Sequence, residues 1–362
     1  MQELIFIDGQ SLGKKSVGHS VFLENILLHL EKITINKFVI GIERGAIPKS
    51  LLAKSFTLYK YKSKWQFIRR FLEIPYACFK MGCGTVVTGF VSPFVPRIKR
   101  VVIIHDIGYL LHPEYYKLLF IIKIRFLTKL SILFGASVLT VSNFSKLTIS
   151  KFYKIKLDEI LIIPNGVDQN RFTPKKQESD KALLKKYNIN KKFILFVGTL
   201  QPRKNINGIV DAFNRFSEKN KESLNLIFIG RLGWGVSAAI KKINNDPNIL
   251  HFNNILDSEL PVFYRNADIF VYPSHFEGFG IPIIEAMASG TPVITSDNSC
   301  LPEIAGNSAI FVDSKNIQAI SDAMLDLVSM EDLKQRMRLK GLSRSKIFDW
   351  HISSEKFMSI FI

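Results

Sequence analysis

Cysteine is nearly absent: the 362 residues include only Cys78, Cys83 and Cys300, an odd number with no metal-ligand spacing. That excludes a disulfide framework and a paired-cysteine zinc site, and reads as three small buried hydrophobes in a reducing compartment. No long uncharged apolar run is present either. The most apolar stretch, Tyr116 to Phe134, is broken by Lys117, Lys123, Arg125 and Lys129, whereas a spanning helix wants about 20 nearly uncharged residues. The start, Met1-Gln2-Glu3-Leu4-Ile5-Phe6-Ile7-Asp8, lacks the basic and apolar regions of a signal peptide. The expectation is a cytoplasmic chain that crosses no membrane. No strand-to-helix turn carries Gly-x-Gly-x-x-Gly, which argues against a nucleotide-dependent oxidoreductase. The glycine-punctuated loop Asp8 to His19 is not a P-loop, because Gly9 and Gly13 are too close and Lys15 stands where Ser or Thr should bind Mg²⁺.

Acids are scarce as well: 31 Asp+Glu face 49 Lys+Arg, a formal charge of +18. The imbalance is concentrated. Residues 1–170 hold 24 Lys+Arg against 11 Asp+Glu, or +13, and the remaining 25 against 20 give +5. Such a field favours nucleic acid, an anionic membrane or phosphorylated ligands, with generic solubility as the bland alternative.

What is present is ordinary globular material. Apolar residues make up 47% and charged residues 22%, and the length suits two cores better than one. In the first half, Leu4–Ile7, Phe38–Ile42, Val86–Thr88, Arg100–His105 and Ser137–Ser142 read as buried strands, with helices over Val17–Leu30 and Pro113–Phe134. In the second, the strands are Phe193–Gly198, Leu224–Gly230, Ile269–Tyr272, Pro292–Thr295 and Ala309–Val312, with helices over Asn207–Glu218 and Ala319–Leu327. Strands separated by crossover helices imply parallel sheets covered on both faces. The polar stretch Phe172–Lys192 parts the two series. The expected fold is therefore α/β, with doubly wound domains at 1–171 and 172–345 facing across a cleft, and ligands at the carboxyl ends of strands.

The chemistry concentrates in Tyr272-Pro273-Ser274-His275-Phe276-Glu277-Gly278-Phe279-Gly280-Ile281-Pro282-Ile283-Ile284-Glu285. Gly278 and Gly280 let backbone approach a ligand, and Pro282 suits a first helical turn. A helix starting there offers amides and a positive terminus to an anion. Glu277 falls in the loop and Glu285 about a turn into the helix. From the residues alone, two readings stay open: carboxylates that accept hydroxyl hydrogen bonds from one ligand, or solvated acids around a tight turn. Elsewhere, Arg203-Lys204 closes a strand end, where a planar fork and a point charge can neutralise a diphosphate. His105-Asp106 ends another.

The spacing Glu277-x7-Glu285 around Glu-Gly-Phe-Gly-Ile-Pro strongly resembles the retaining glycosyltransferases of family 4, metal-independent two-domain enzymes of the GT-B fold. The resemblance runs from Asn248 to Asp313, through Leu260-Pro261-Val262-Phe263-Tyr264-Arg265-Asn266-Ala267-Asp268 and Leu301-Pro302-Glu303-Ile304-Ala305-Gly306. It implies that Glu285 holds the donor ribose and Glu277 lies against the transferred sugar. The backbone of Gly278, Phe279, Gly280 and Ile281 would meet sugar and phosphate. It further implies Arg203 and Lys204 on the diphosphate, His105 beside the sugar, and Gly18 in a loop approaching phosphate, with His19 standing where many relatives have Arg. Arg231 is placed near the nucleoside and the Leu256 backbone near the base. The tail from about 346 to 362 would return to the N-terminal domain. The intact acid and cation pairs argue against an inactive relative. The resemblance implies a nucleotide-sugar donor, with GDP-mannose preferred and UDP-hexoses close behind, no metal or other cofactor, and a glycan or lipid-linked glycan acceptor in bacterial surface polysaccharide synthesis.

The basic stretch Tyr59-Lys60-Tyr61-Lys62-Ser63-Lys64-Trp65-Gln66-Phe67-Ile68-Arg69-Arg70 mixes cations with aromatics. It reads as a solvated helix face or an anionic-membrane contact through Lys60, Lys62, Lys64, Arg69 and Arg70. With the resemblance, the membrane is the expected partner and nucleic acid is not, which places the chain at the inner face of the cytoplasmic membrane.

Overall fold

The computed structural model describes residues 4–13, 18–30, 37–43, 51, 56–220 and 222–361. The chain forms two compact units, one of Met1–Asn165 with Trp350–Ile362, the other of Gly166–Asp349. The divisions fall near Asn165 and Asp349 rather than at the 171 and 345 read from composition.

The first unit is built on seven parallel strands: β1 Leu4–Asp8, β2 Phe38–Ile42, β3 Thr57–Lys60, β4 Cys83–Gly89, β5 Lys99–Ile103, β6 Ser137–Thr140 and β7 Ile160–Ile162, in the order β3-β2-β1-β4-β5-β6-β7. The second has six: β8 Phe193–Val197, β9 Asn225–Ile229, β10 Ile249–Phe252, β11 Ile269–Tyr272, β12 Val293–Ser296 and β13 Ile310–Val312, in the order β10-β9-β8-β11-β12-β13. Interior strands such as Phe193-Ile194-Leu195-Phe196-Val197 are buried along their whole length, as a sheet covered on both faces requires. The strands not anticipated, β3, β7 and β10, all lie at sheet edges.

Register decides which helices share a face. Phe6 pairs with Val39 and Val86, Thr88 with Val102, and Val102 with Val138. Alternate residues of a strand point the same way, so all of these side chains look to one face of the first sheet. Over β1, β2 and β4 that face packs Ile74, Ala77 and Cys78. Over β5 and β6 it packs Ile121, Ile124 and Ile132. The contacts come from the helical run 66–81, which has a five-residue π segment at Arg69–Glu73, and from the helix Leu118–Leu133. The expected helix over Pro113–Phe134 is thus a short 3₁₀ turn, Pro113–Tyr115, followed by this helix. The helix Gly18–Leu28 carries the tail helix Trp350–Met358, whose Ser354 hydroxyl donates to Ile26 O at 3.0 Å. Val17, expected to open the former, lies outside the described residues.

One expectation is corrected. Arg69 and Arg70 are not surface cations. Arg69 is buried, ion-paired to Glu43 at 2.6 Å and set over the Tyr61 ring. Arg70 is largely buried beside Asp8 and Tyr61, and that burial pulls its pKa down. A buried guanidinium persists where a carboxylate is near, and both arginines turn toward acids distant in sequence.

Candidate active site

In the second sheet the strand order reverses between β8 and β11, the crevice where open α/β sheets bind ligands. The two loops flanking that point bring the predicted residues together. Arg203 and Lys204 sit in a 3₁₀ turn after β8, and Glu277 sits in the loop after β11. Arg203 Nη1 donates to Glu277 Oε2 at 2.8 Å and to the Phe276 carbonyl. Lys204 Nζ donates to Glu277 Oε1 and to the Tyr272 hydroxyl. Burial alone would raise the Glu277 pKa; the two cations outweigh it and hold the carboxyl at about 2. The trio therefore carries a net positive charge in a dry setting, where an anion is strongly attracted.

The surrounding loops are tied to one another. Asn205 donates to the carbonyls of Pro273 and Ser314, His275 pairs with the Ser314 hydroxyl at 3.0 Å, and Glu277 N donates to Ser299 Oγ at 3.2 Å. Gly280 has φ +98°, and a Cβ there would stand 3.0 Å from Leu301 Cδ2. Only glycine makes this turn without strain. The helix Ile281–Ala288 follows directly, so its positive N-terminal end adjoins the Gly278–Gly280 turn. Phe279 is buried edge-on against Phe348, so it acts as an anchor for the turn.

Glu285, within that helix, accepts from the Tyr264 hydroxyl at 2.8 Å. Burial pushes its carboxyl up to about 6, against the opposing pull of Tyr264 and Arg171. Two acids eight positions apart are thus tuned in opposite directions, a pattern that separates their chemical roles.

Gly230 lets the loops after β8 and β9 meet. A Cβ there would fall 2.1 Å from Gly198 O. Leu200 N donates to Arg231 O at 2.9 Å and Gly233 N to Leu200 O at 2.7 Å, which sets Arg231 beside the loop that carries Arg203. Leu256 is exposed; its amide donates to Glu259 Oε2 and its carbonyl accepts from Glu259 N and Leu260 N. A base contact through the Leu256 amide therefore requires Glu259 to yield.

The first unit holds a separate cluster. His105 follows β5, and its Nε2 lies 2.8 Å from His19 Nδ1, with Phe22 edge-on to its ring. Asp106 accepts from the Gly108 amide at 2.8 Å, and His19 orients the His105 ring. Asp8 accepts from the Tyr61 hydroxyl at 2.7 Å and from Gln10 Nε2 at 2.9 Å. Gly18 opens the helix that carries His19, and a Cβ there would meet no described atom within 4 Å; residues 14–17 of its loop lie outside the described residues. Sequence reasoning missed His19, Tyr264 and Tyr272 as partners. A signal existed for the first, a histidine in place of the usual arginine.

Burial, and then Arg70, lowers His19 to about 4; burial and His19 bring His105 well below its usual value. Both rings are neutral near pH 7. A depressed histidine leaves the unfolded chain binding more protons between about pH 6.5 and 4, so stability falls as pH falls through that window. Urea melts from about pH 7.5 to 5 should show the midpoint dropping, and dropping less when His19 and His105 are both Gln. Equal drops would remove this assignment. Among the described residues no group of three or more His, Cys, Asp or Glu side chains is arranged to hold a metal ion.

Comparison with known proteins places these observations. Residues 179–344 match the family described as Glycosyl transferases group 1. O-antigen chain mannosyltransferase B of Escherichia coli is 30% identical over 262 residues, covering 70% of this chain and 68% of that protein. O-antigen chain mannosyltransferase RfbU of Salmonella typhimurium is 32% identical over 248 residues, covering 67% and 65%. The match thus spans about two thirds of either relative. Among solved structures, sucrose-phosphate synthase from Thermosynechococcus elongatus superposes with a TM-score of 0.79 at 17% identity, covering 100% of this chain and 98% of that one. At that identity the likeness speaks for the fold alone: two Rossmann-like domains of the GT-B type.

Proposed function

The chain belongs to the group 1 glycosyl transferases and is a glycosyltransferase, and from that premise we propose that it transfers mannose from GDP-mannose to a glycan or lipid-linked glycan, with retention and without a metal. The acceptor belongs to bacterial surface polysaccharide synthesis, and the protein attaches peripherally to the inner face of the cytoplasmic membrane. Mannose is supported by the two relatives named as O-antigen mannosyltransferases.

The observation that carries the reading is the contrast between the two acids of the second unit. Glu285, with its carboxyl near 6 and one oxygen on Tyr264, accepts hydrogen bonds from the ribose hydroxyls. Glu277, fixed as a carboxylate between Arg203 and Lys204, addresses the sugar while the two cations take the diphosphate. As the bond from the anomeric carbon to the phosphate oxygen breaks, negative charge grows on the departing GDP, where Arg203, Lys204 and the helix start after Gly280 stabilise it. The acceptor hydroxyl attacks the same face of the sugar and passes its proton to the leaving phosphate oxygen. Within the first unit, His19 holds the His105 ring.

The test is transfer by the full chain in chelator, from GDP-mannose and from UDP-hexoses, with NMR of the product. GDP-mannose consumption and a product with the donor's anomeric configuration are expected. Inversion, a strict need for a divalent ion, or preference for a UDP-hexose would each overturn the corresponding part.

A further inference from the structure

Most of the large apolar side chains exposed among the described residues belong to the first unit. They gather on the two helical runs that cover one face of its sheet. On Leu118–Leu133, Ile121, Ile124 and Ile132 pack inward, while Leu119 (82% exposed), Ile122, Phe126 and Leu133 point out. That spacing is a continuous helical stripe. Lys123 and Lys129, both exposed, flank it on either side. On the run 66–81, Ile68, Leu72, Tyr76 and Phe79 (86% exposed) make a second stripe opposite Ala77 and Cys78. Exposed Lys62, Lys64 and Lys80 stand at its ends. Since both runs cover the same sheet face, both stripes look outward in the same direction.

A soluble surface seldom carries two adjacent apolar stripes. The charges around them identify what covers them. Residues 115–134 contain no acid, and residues 59–82 contain only Glu73, whose carboxylate accepts from the amides of Lys62 and Ser63. A second copy of the chain would set lysine against lysine with no acid to answer. An anionic bilayer answers both features: phosphates for the lysines, and the headgroup–acyl boundary for the apolar side chains. No helix among the described residues is long and apolar enough to cross a membrane.

We propose that the outer faces of 66–81 and Leu118–Leu133 form one docking face that inserts its apolar stripes into an anionic lipid surface. This rests on the peripheral attachment proposed above, and replaces attachment by the cation run 60–70 with insertion of leucine, isoleucine and phenylalanine side chains.

Flotation of the full chain with phosphatidylglycerol vesicles tests it, at low salt and at about 0.5 M salt, where the Debye length is only a few ångströms. Three proteins are compared: wild type, a variant carrying Leu119→Ser, Ile122→Ser and Phe126→Ser, and one carrying Leu72→Ser and Phe79→Ser. These are surface positions, and thermal melts unchanged from wild type verify folding. Wild type should float at low salt and keep a salt-resistant fraction, which each serine variant loses by roughly tenfold or more in partition coefficient. Failure of wild type to float at low salt removes peripheral attachment itself. Flotation by wild type that the serine variants match at both salts removes only the insertion. A concentration-dependent dimer that the serine variants dissociate and vesicles do not would assign the face to a second copy instead.

Discussion

Glu277→Gln is expected to lower kcat/KM by about 10²–10³, the scale on which a preorganised charge at a developing transition state is felt. The same change should destabilise the second unit. Glu277 sits between Lys204 and Arg203, with Lys204 and Glu277 themselves buried. Neutralising the acid leaves two cations side by side out of water, and removing one partner of a buried ion pair costs about 3–5 kcal/mol. A bound diphosphate supplies the missing negative charge. The variant should therefore melt lower than wild type when free, yet gain more in Tm from saturating GDP. Turnover assays and melts with and without GDP measure both. A variant that melts like wild type, or that gains less from GDP, would show that the three groups do not share one anion site.

Glu285→Ala should weaken GDP binding by roughly 100-fold or more. Two hydrogen bonds from a ribose diol to a carboxylate are worth about 1.5–3 kcal/mol each. The pH dependence is diagnostic. Burial holds this carboxyl near 6, above its unfolded value, so its ionisation costs stability as pH rises toward 6, while bound hydroxyl donors favour the ionised form. Affinity in wild type should therefore weaken as pH falls through about 6, and this step should be missing in the alanine variant. Calorimetric titration from about pH 7.5 to 5 reads it directly; a wild-type affinity flat across that range would take the ribose away from Glu285.

How much of this was legible in the sequence depended on whether the determining contact was local. Interior strands were, because burial on both faces writes an unbroken apolar run such as Phe38–Ile42 or Ile269–Tyr272. Edge strands were not: Thr57-Leu58-Tyr59-Lys60 is mostly exposed and reads like the basic stretch that follows it. The Glu277–Glu285 loop was legible as a motif because its glycines, proline and acids are contiguous. Its electrostatics were not, since Arg203 and Lys204 lie more than seventy residues away, and only the fold makes them neighbours at the switch between β8 and β11. The same holds in reverse for Arg69 and Arg70. In sequence they extend a cation run, but Glu43 and Asp8, reached through the sheet, draw them inside. Exposed apolar stripes were hidden for a related reason: in Leu118–Leu133 apolar residues stand on the inward and the outward side alike, so periodicity alone does not reveal which side faces out.

The most direct measurement is a thermal-shift panel of nucleoside diphosphates and their sugars on wild type and Glu285→Ala, since a ligand that binds only the folded chain raises its melting temperature. GDP and GDP-mannose should stabilise wild type most, and Glu285→Ala should lose that response when each protein is measured against its own unliganded Tm. No shift from any nucleotide, or an equal shift in both proteins, would contradict donor binding at the Glu277–Glu285 loop.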